Sequence, residues 1–432
     1  MTRIVQVLLL LFAFALQATA QEVLTLDEAV NNALKNNFDI LVARTTADID
    51  KTNNTAGNAG MLPNLAVNTT DNYSVNNLDQ KLSNGTETKK SGTTSNALTS
   101  SVALSWTLFD GGKMFVTKRK LAEIEALGEL QFKQQVMQTV NDVTVAYYNL
   151  VEQKQQLSSL QEVINYNKVR VNILQTSFDA GLSAKNELLQ ARIDLNVFTE
   201  NAINQQSVIV AARRNLNELL SQDPDRNVEV IDSIPIVDLP VKDTLIQKLY
   251  DNNPTILAYE RQMEIARLSA KEFNTLRLPK LTLNSNYTLA QTNSSAGFQL
   301  FNRTIGPQIG GTLSIPIFQG GNNARQVAVA KLQLDAARIS LEQTKLALHT
   351  QLLNAISDFE NQRHLLNIEL DNDALAKENL EIALQRLKLG QTTALEVKLA
   401  QESYVDSRTR LINFMFNVKV AETKLKQLMA EL

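Results

Sequence analysis

Phe178–Ala191 reads "FDAGLSAKNELLQA" and Leu387–Ala400 reads "LKLGQTTALEVKLA". In both, a Gly is followed two positions on by a small hydroxyl residue, six on by Glu and ten on by Ala. Each closes a stretch without Pro, Lys113–Phe178 and Asn322–Leu389, that can run as helix for about 100 Å at roughly 1.5 Å per residue. Gly181 and Gly390 take φ > 0 where a helix must stop abruptly, and Ser183 or Thr392 can cap the helix that follows. Glu187 and Glu396 fall in the first turns of that helix, where its dipole favours a carboxylate. The two stretches read as reversals between paired long helices.

The recurrence extends outward. Leu62-Pro63-Asn64-Leu65 returns as Leu278-Pro279-Lys280-Leu281, and "ALKNNFDI" (Ala33–Ile40) as "LYDNNPTI" (Leu249–Ile256), both at an offset of 216. "LSWTLFDGG" (Leu104–Gly112) returns as "LSIPIFQGG" (Leu313–Gly321) at 209, an offset that Gly181 and Gly390 keep, as do Leu216 and Leu425. The chain is a duplication rather than a short-period solenoid. The first repeat spans 21–230, with strands expected at 64–75 and 97–109 and long helices at 113–179 and 182–221. A linker covers 231–240. The second repeat spans 241–432, with strands at 280–291 and 305–318 and helices at 322–388 and 391–430.

Heptad spacing joins Leu188, Ala191, Leu195, Phe198, Ala202, Ile209, Ala212, Leu216 and Leu219, interrupted only by Gln205. Val397, Ala400, Tyr404, Leu411, Phe414, Val418, Ala421, Leu425 and Leu428 repeat it, with Ser407 as the weak position. The strands instead alternate. Leu98, Val102, Leu104, Trp106 and Leu108 share one face against Thr99, Ser101, Ser105 and Thr107, and Leu281, Leu283, Tyr287 and Leu289 oppose Asn284, Asn286 and Thr288. Apolar on one side and small polar on the other is the pattern of a barrel strand between lipid and water, and also that of a soluble sandwich edge. Asn76–Asn96 and Gln291–Thr304 read as external loops. Four strands cannot close a membrane barrel, so the edges call for other chains.

Arg3, the apolar run Ile4–Leu16 and Ala18-Thr19-Ala20 before Gln21 form a signal peptide over 1–20. As a membrane anchor that run is too short for a bilayer core of about 30 Å. Loss of Arg3 takes the formal net charge from −3 to −4, which offers no basic surface to nucleic acid. With no Cys, stability in an exported chain rests on packing or oligomerisation.

The signal peptide, the duplicated unit, the Leu-Pro before the strands and the Phe-x-Gly-Gly after them resemble the TolC-like outer-membrane efflux channel family over essentially the whole mature chain. "LNELLSQDP" (Leu216–Pro224) closes the first repeat in the family's manner. The resemblance implies a mainly α fold with a β part. Three protomers would share a 12-stranded outer-membrane β-barrel, continued by a periplasmic α-helical barrel. It implies a passive exit duct of a tripartite efflux or type I secretion system, located in the cell outer membrane and extending into the periplasm. Its partners would be a periplasmic adaptor and an inner-membrane pump of RND or ABC type. Carried over by position, Gly181, Leu182 and Ser183, with Gly390, Gln391 and Thr392, match the tip turns that adaptors grip. Glu187, Asn186, Glu396 and Lys398 match the periplasmic gate, where carboxylate rings favour cations. Leu387, Thr392 and Leu399 replace the Tyr, Arg and Asp with which well-known members latch their gate, so Lys185 and Lys398 become candidates for a different latch.

Gly111-Gly112 and Gly320-Gly321 lack the Gly-Lys-Ser/Thr ending of a phosphate loop and read as strand-to-helix turns. His349 and His364 lack metal-site spacing, no triad signature occurs, and no cofactor motif is present. Trp106 suits either an interfacial belt or simple packing. Two other functions fit the composition, a soluble periplasmic coiled-coil scaffold and a porin-like surface receptor.

Overall fold

The structure, a computed structural model, describes residues 23–237 and 242–432. The expected signal peptide and positions 238–240 of the expected linker lie outside them. In chain order the first copy contains β1 (Val23–Leu24), α1 (Leu26–Asn36), α2 (Phe38–Asn53), β2 (Asn64–Lys81), β3 (Glu87–Asp110), α3 (Lys113–Asp179), α4 (Lys185–Leu219) and β4 (Glu229–Val230). The second contains α5 (Lys242–Asn252), α6 (Pro254–Thr275), β5 (Lys280–Ser294), β6 (Phe301–Ser314), α7 (Asn322–Lys388) and α8 (Ala394–Leu428). The chain divides into two compact units, one of Thr46–Leu130 with Ala258–Gln343, the other of the described residues up to Thr45, Gln131–Leu257 and Thr344–Leu432.

The first unit is built on a four-stranded antiparallel sheet in the order β2-β3-β5-β6. Its two central strands come from different repeats and pair from Ser95↔Ser294 to Asp110↔Lys280. Register lines Val67, Val102, Tyr287 and Pro307 up on one face, with Leu65, Leu104, Ser285 and Ile309 beside them. The opposite face carries Asn68, Ser101, Thr288 and Gly306. The apolar face is bare within the chain: Val67 is 71% and Ile309 78% exposed. Trp106 lies on it, exposed as well, with its indole N–H donating to Met61 O at 2.9 Å. Below the sheet, Glu272 accepts from Thr117 at 2.9 Å and from Lys120, with Lys113 at 3.8 Å.

Several strand limits differ from the sequence expectation, β5 for one running on to Ser294 rather than 291. β2 and β3 continue through Asn76–Asn96, leaving only a short turn in which Leu82 N–H bonds Thr86 O at 2.9 Å. The ion pairs Lys81–Glu87 and Lys89–Asp79 bridge this polar extension at 2.6 and 3.2 Å. Polar composition disguised a strand there, because cross-strand pairs rather than an apolar face hold it. β6 starts earlier, at Phe301, and stops at Ser314 rather than 318. Its partner β5 begins at Lys280, opposite Ser314, and Pro316 has no N–H to offer.

In the second unit the duplication reappears atom by atom. Asn37 caps α2 by accepting from Asp39 and Ile40 N–H, and donates to Leu219 O at 2.9 Å. Asn253 likewise accepts from Thr255 and Ile256 and donates to Leu428 O at 2.8 Å. One cluster joins Ala29 and Ala33 of α1 to Tyr147, Leu150 and Val151 of α3 and Leu216 of α4. Tyr147 Oη donates to Leu24 O at 2.8 Å and accepts from Ile231 N–H at 3.3 Å, fixing the parallel β1–β4 pair. The two heptad seams are unequal: α8 is buried along its length, whereas α4 is buried only near its ends. α3 and α8 are bonded to one another by Gln156–Asn413 and Arg170–Gln401. Leu189, Ile193 and Ile203 of α4, and Ile368, Leu375 and Ile382 of α7, stay exposed, as does Leu389 just past the end of α7. No helix among the described residues is long and apolar enough to cross a membrane.

Candidate functional site

The two Gly turns are the same structure twice. After α3, Gly181 N–H bonds Phe178 O at 2.9 Å and Leu182 N–H bonds Ser177 O at 2.8 Å. After α7, Gly390 N–H bonds Leu387 O at 3.0 Å and Gln391 N–H bonds Arg386 O at 2.9 Å. This is the paired-bond Schellman ending, and it needs a left-handed residue at the Gly. Gly181 has φ +74° and Gly390 φ +70°. Gly111, Gly112, Gly320 and Gly321 are also left-handed, φ +58° to +84°, where β3 and the segment after β6 turn into α3 and α7.

The caps differ from the sequence expectation by one position. Ala184 and Thr393, not Ser183 and Thr392, stand at the N-caps. Thr393 Oγ1 accepts from Glu396 N–H at 3.2 Å, while Ala184 has no side-chain oxygen and makes no such bond. Ser183 Oγ instead donates to Leu174 O at 3.4 Å. The Thr392 hydroxyl bonds the Glu396 carboxylate. The turn carries one more residue between Gly and helix than the hydroxyl spacing suggested, so the hydroxyls expected as caps brace the turns instead.

At the surface of these turns Leu182 is 83% exposed, and Leu389, Gln391, Leu395 and Glu396 are exposed with it. Asn186 is exposed and Glu187 half-buried. Beneath them one core joins both hairpins: Leu174 of α3, Leu188 and Ala191 of α4, Leu384 and Leu387 of α7, Val397 and Ala400 of α8. Leu387 is thus a core residue, whereas Leu399 is exposed.

Behind this core lies a polar layer that sequence reasoning missed. Arg170, 2% exposed, bonds Asp194 of α4 and donates to Gln401 Oε1 of α8 at 3.3 Å. Lys398 reaches Asp194 at 3.7 Å and Glu402 at 3.8 Å, so it joins this network. Further along, Glu162 accepts from Tyr404 at 2.8 Å and Lys377 at 3.0 Å. Ser407, the weak seam position, donates to Glu369 at 2.6 Å, and Arg410 pairs with the same carboxylate at 3.0 Å. Burial works to raise Glu162 and Glu369, but these donors hold both below the usual carboxylate range. The signal was present: Val163, Asn167, Arg170 and Leu174 keep the 4,3,4 spacing of a seam, and all four are buried. His349 Nδ1 lies 3.0 Å from Tyr250 Oη. Among the described residues no group of three or more His, Cys, Asp or Glu is placed to hold a metal.

The chain thus combines a sheet with one apolar and one polar face and helix hairpins joined by buried charge. The chain belongs to the outer membrane efflux protein family, whose model matches residues 29–222 and 245–431. It is 23% identical over 412 residues to outer membrane efflux protein BepC of Brucella suis biovar 1 (strain 1330), covering 95% of this chain and 85% of that protein. To outer membrane protein TolC of Escherichia coli (strain K12) it is 20% identical over 352 residues, covering 79% and 71%. The fold matches that of the outer membrane protein VceC from Vibrio cholerae with a TM-score of 0.76, at 18% identity, over 94% of this chain and 95% of that one. The family is one of channel proteins, not enzymes. The protein is an outer-membrane exit duct for an efflux system, extending into the periplasm.

Proposed function

We propose that three copies of the chain form the duct, closing a twelve-stranded β-barrel in the outer membrane and a periplasmic tube of helices that receives cargo from an adaptor and an inner-membrane pump of RND or ABC type. The observation that carries this is the sheet: four strands, segregated faces, and edges at β2 and β6 that no strand among the described residues fills. Unpaired edges in lipid cost several kcal/mol per group, and three such sheets joined edge to edge have none. The helices repeat the logic. Bare apolar rows on α4 and α7 are two different surfaces, which is what a head-to-tail ring needs.

The tips Gly181-Leu182-Ser183 and Gly390-Gln391-Thr392 are the proposed adaptor contacts, and Glu187 and Glu396 the proposed cation-selective rings, with Asn186 and Lys398 beside them. With Leu387 in the core and Leu399 bare, the family's usual latch has no side chains to use. Arg170, Asp194 and Lys398 tie the hairpins instead. Light scattering of the detergent-extracted outer-membrane fraction is the first test: a trimer is expected, and a monomer would sink the shared barrel. Disulfide or photo-cross-linking from Gly181 and Gly390 positions to a periplasmic adaptor tests docking separately. In bilayer recordings Glu396→Gln is expected to lower cation selectivity, and an unchanged reversal potential would remove Glu396 from the gate.

A further inference from the structure

Of the buried carboxylates in the helical unit, Glu369, Asp373 and Glu422 each bond a Lys or Arg. Glu152, only 8% exposed, meets no cation among the described residues. Its Oε2 accepts long bonds from two neutral amides, Asn149 at 3.3 Å and Gln153 at 3.2 Å. It opens on a cavity of 290 Å³ where α3, α4 and α8 meet, lined on its polar side by Gln153, Gln156, Ser159, Gln205, Thr409 and Asn413. Gln205 spans from α4 to Gln153 O and Oε1 at 3.1 and 2.9 Å, and Gln156 reaches Asn413 Oδ1 of α8 at 3.1 Å. Glu152 is the one charged side chain among the residues lining it.

The surrounding charges are turned elsewhere. Lys154 on α3 pairs with Glu229 and Asp232. On α8, Lys419 lies over the Tyr148 ring and pairs with Glu422, and Arg408 pairs with Asp373. α4 presents the neutral Gln205. At the matching place in the second copy, 209 residues on, stands the exposed neutral Asn361. The shared helical plan therefore has no need of an acid here.

We propose that Glu152 is a proton-binding site in the helical wall: it packs as the neutral acid, and release of its proton to solvent draws water into the cavity and loosens α3 against α4 and α8. A buried carboxylate without a partner neutralises rather than stays charged. Consistent with this, burial pushes the Glu152 carboxyl up from 4.5 to about 7, against the pull of the Gln153 and Asn149 amides. Between those two values the native chain holds a proton that the unfolded chain has released. Stability therefore falls as pH rises through that window and levels off above it. As far as Glu152 decides it, the wall is tighter at about pH 5 than at neutral pH and above.

The test is thermal unfolding of the full-length protein in detergent, followed by the helical circular-dichroism signal at about pH 5, 6, 7 and 8. The wild-type midpoint is expected to fall by several degrees across this range, while Glu152→Gln stays near the acid wild-type value throughout. Infrared difference spectra should show a carboxylic-acid C=O band that disappears about pH 7 and is absent from Glu152→Gln. Parallel pH profiles for the two proteins would overturn the proposal. So would a wild-type midpoint at the alkaline end that sodium or potassium restores, since the site would then hold a metal cation. If Glu152→Gln does not fold, the infrared titration of the wild type decides alone, and no acid band at the lower pH values refutes the site.

Discussion

Removing the Arg170 guanidinium leaves Asp194 with only the Gln190 amide at 2.8 Å and Lys398 at 3.7 Å, in a closely packed layer. Arg170→Met is therefore expected to cost about 3 kcal/mol, the lower end for a broken buried pair, read by thermal unfolding. Combining it with Asp194→Leu should recover most of the loss, and a single variant as stable as wild type would deny the pair any structural role. At the tips, Thr393→Ala should lose about 1 kcal/mol and Ala184→Ser gain a comparable amount, because only the second copy has a side-chain cap. The glycines of one turn divide sharply. A Cβ at Gly111 would lie 2.6 Å from Leu278 Cβ and 2.9 Å from Thr275 O, whereas one at Gly112 meets nothing within 4 Å. Gly111→Ala should therefore destabilise far more than Gly112→Ala, which carries left-handed strain alone. That Gly181 and Gly390 end helices was legible from residue type. Which neighbour caps the next helix was not, since an N-cap is set by backbone conformation one residue before the helix, and Ser183 and Thr392 fall one place short.

Among the elements, the sheet was legible where its two faces differ and illegible where they do not. Alternation located Leu98–Leu108 and Leu281–Leu289 because successive residues of a strand face opposite sides of the sheet, and the two sides here differ in chemistry. Beyond Val75 both faces are polar, and the strands persist on ladder bonds and ion pairs that composition does not reveal. The apolar face gives a position-specific expectation. Val102→Lys should impair outer-membrane insertion by about 2–4 kcal/mol near mid-membrane, while Ser101→Lys, on the other face, should be tolerated. Quantifying folded, heat-modifiable protein in the outer-membrane fraction separates them, and equal yields would mean that this face does not meet lipid. The helical elements were legible in extent because heptads broken only at Gln205 and Ser407 and the absence of Pro leave few alternatives. Their buried charges were not, because Arg170 reads as a surface residue unless its place in the seam is followed.

At the scale of the whole molecule, carboxylates held low by cations outnumber, among the described residues, the one raised by burial. Glu162, Glu272 and Glu369 lie below the usual value of 4.5. The stability they contribute is present above their unfolded value and is lost as pH falls below about 4.5. Acid should therefore unfold wild type and Glu152→Gln alike, which a denaturation series at low pH would check; a variant that resisted acid would contradict it. The duplication was legible end to end, because two copies constrain one another at every matched residue. How the copies interleave was not, since no pattern within one repeat specifies a partner in the other. That interleaving governs how the chain is made. Ser95 and Ser294, whose hydroxyls lie 3.2 Å apart in the centre of the sheet, are 199 residues apart in the chain. The first hairpin must therefore reach the periplasm and wait, with both long edges open, until the second repeat has been exported, a slow non-local step. During that wait β3, which awaits β5, offers its backbone groups to any passing strand, and so does β2, whose outer edge has no partner among the described residues. The first repeat must therefore be kept from pairing with the wrong strand until its own second repeat arrives.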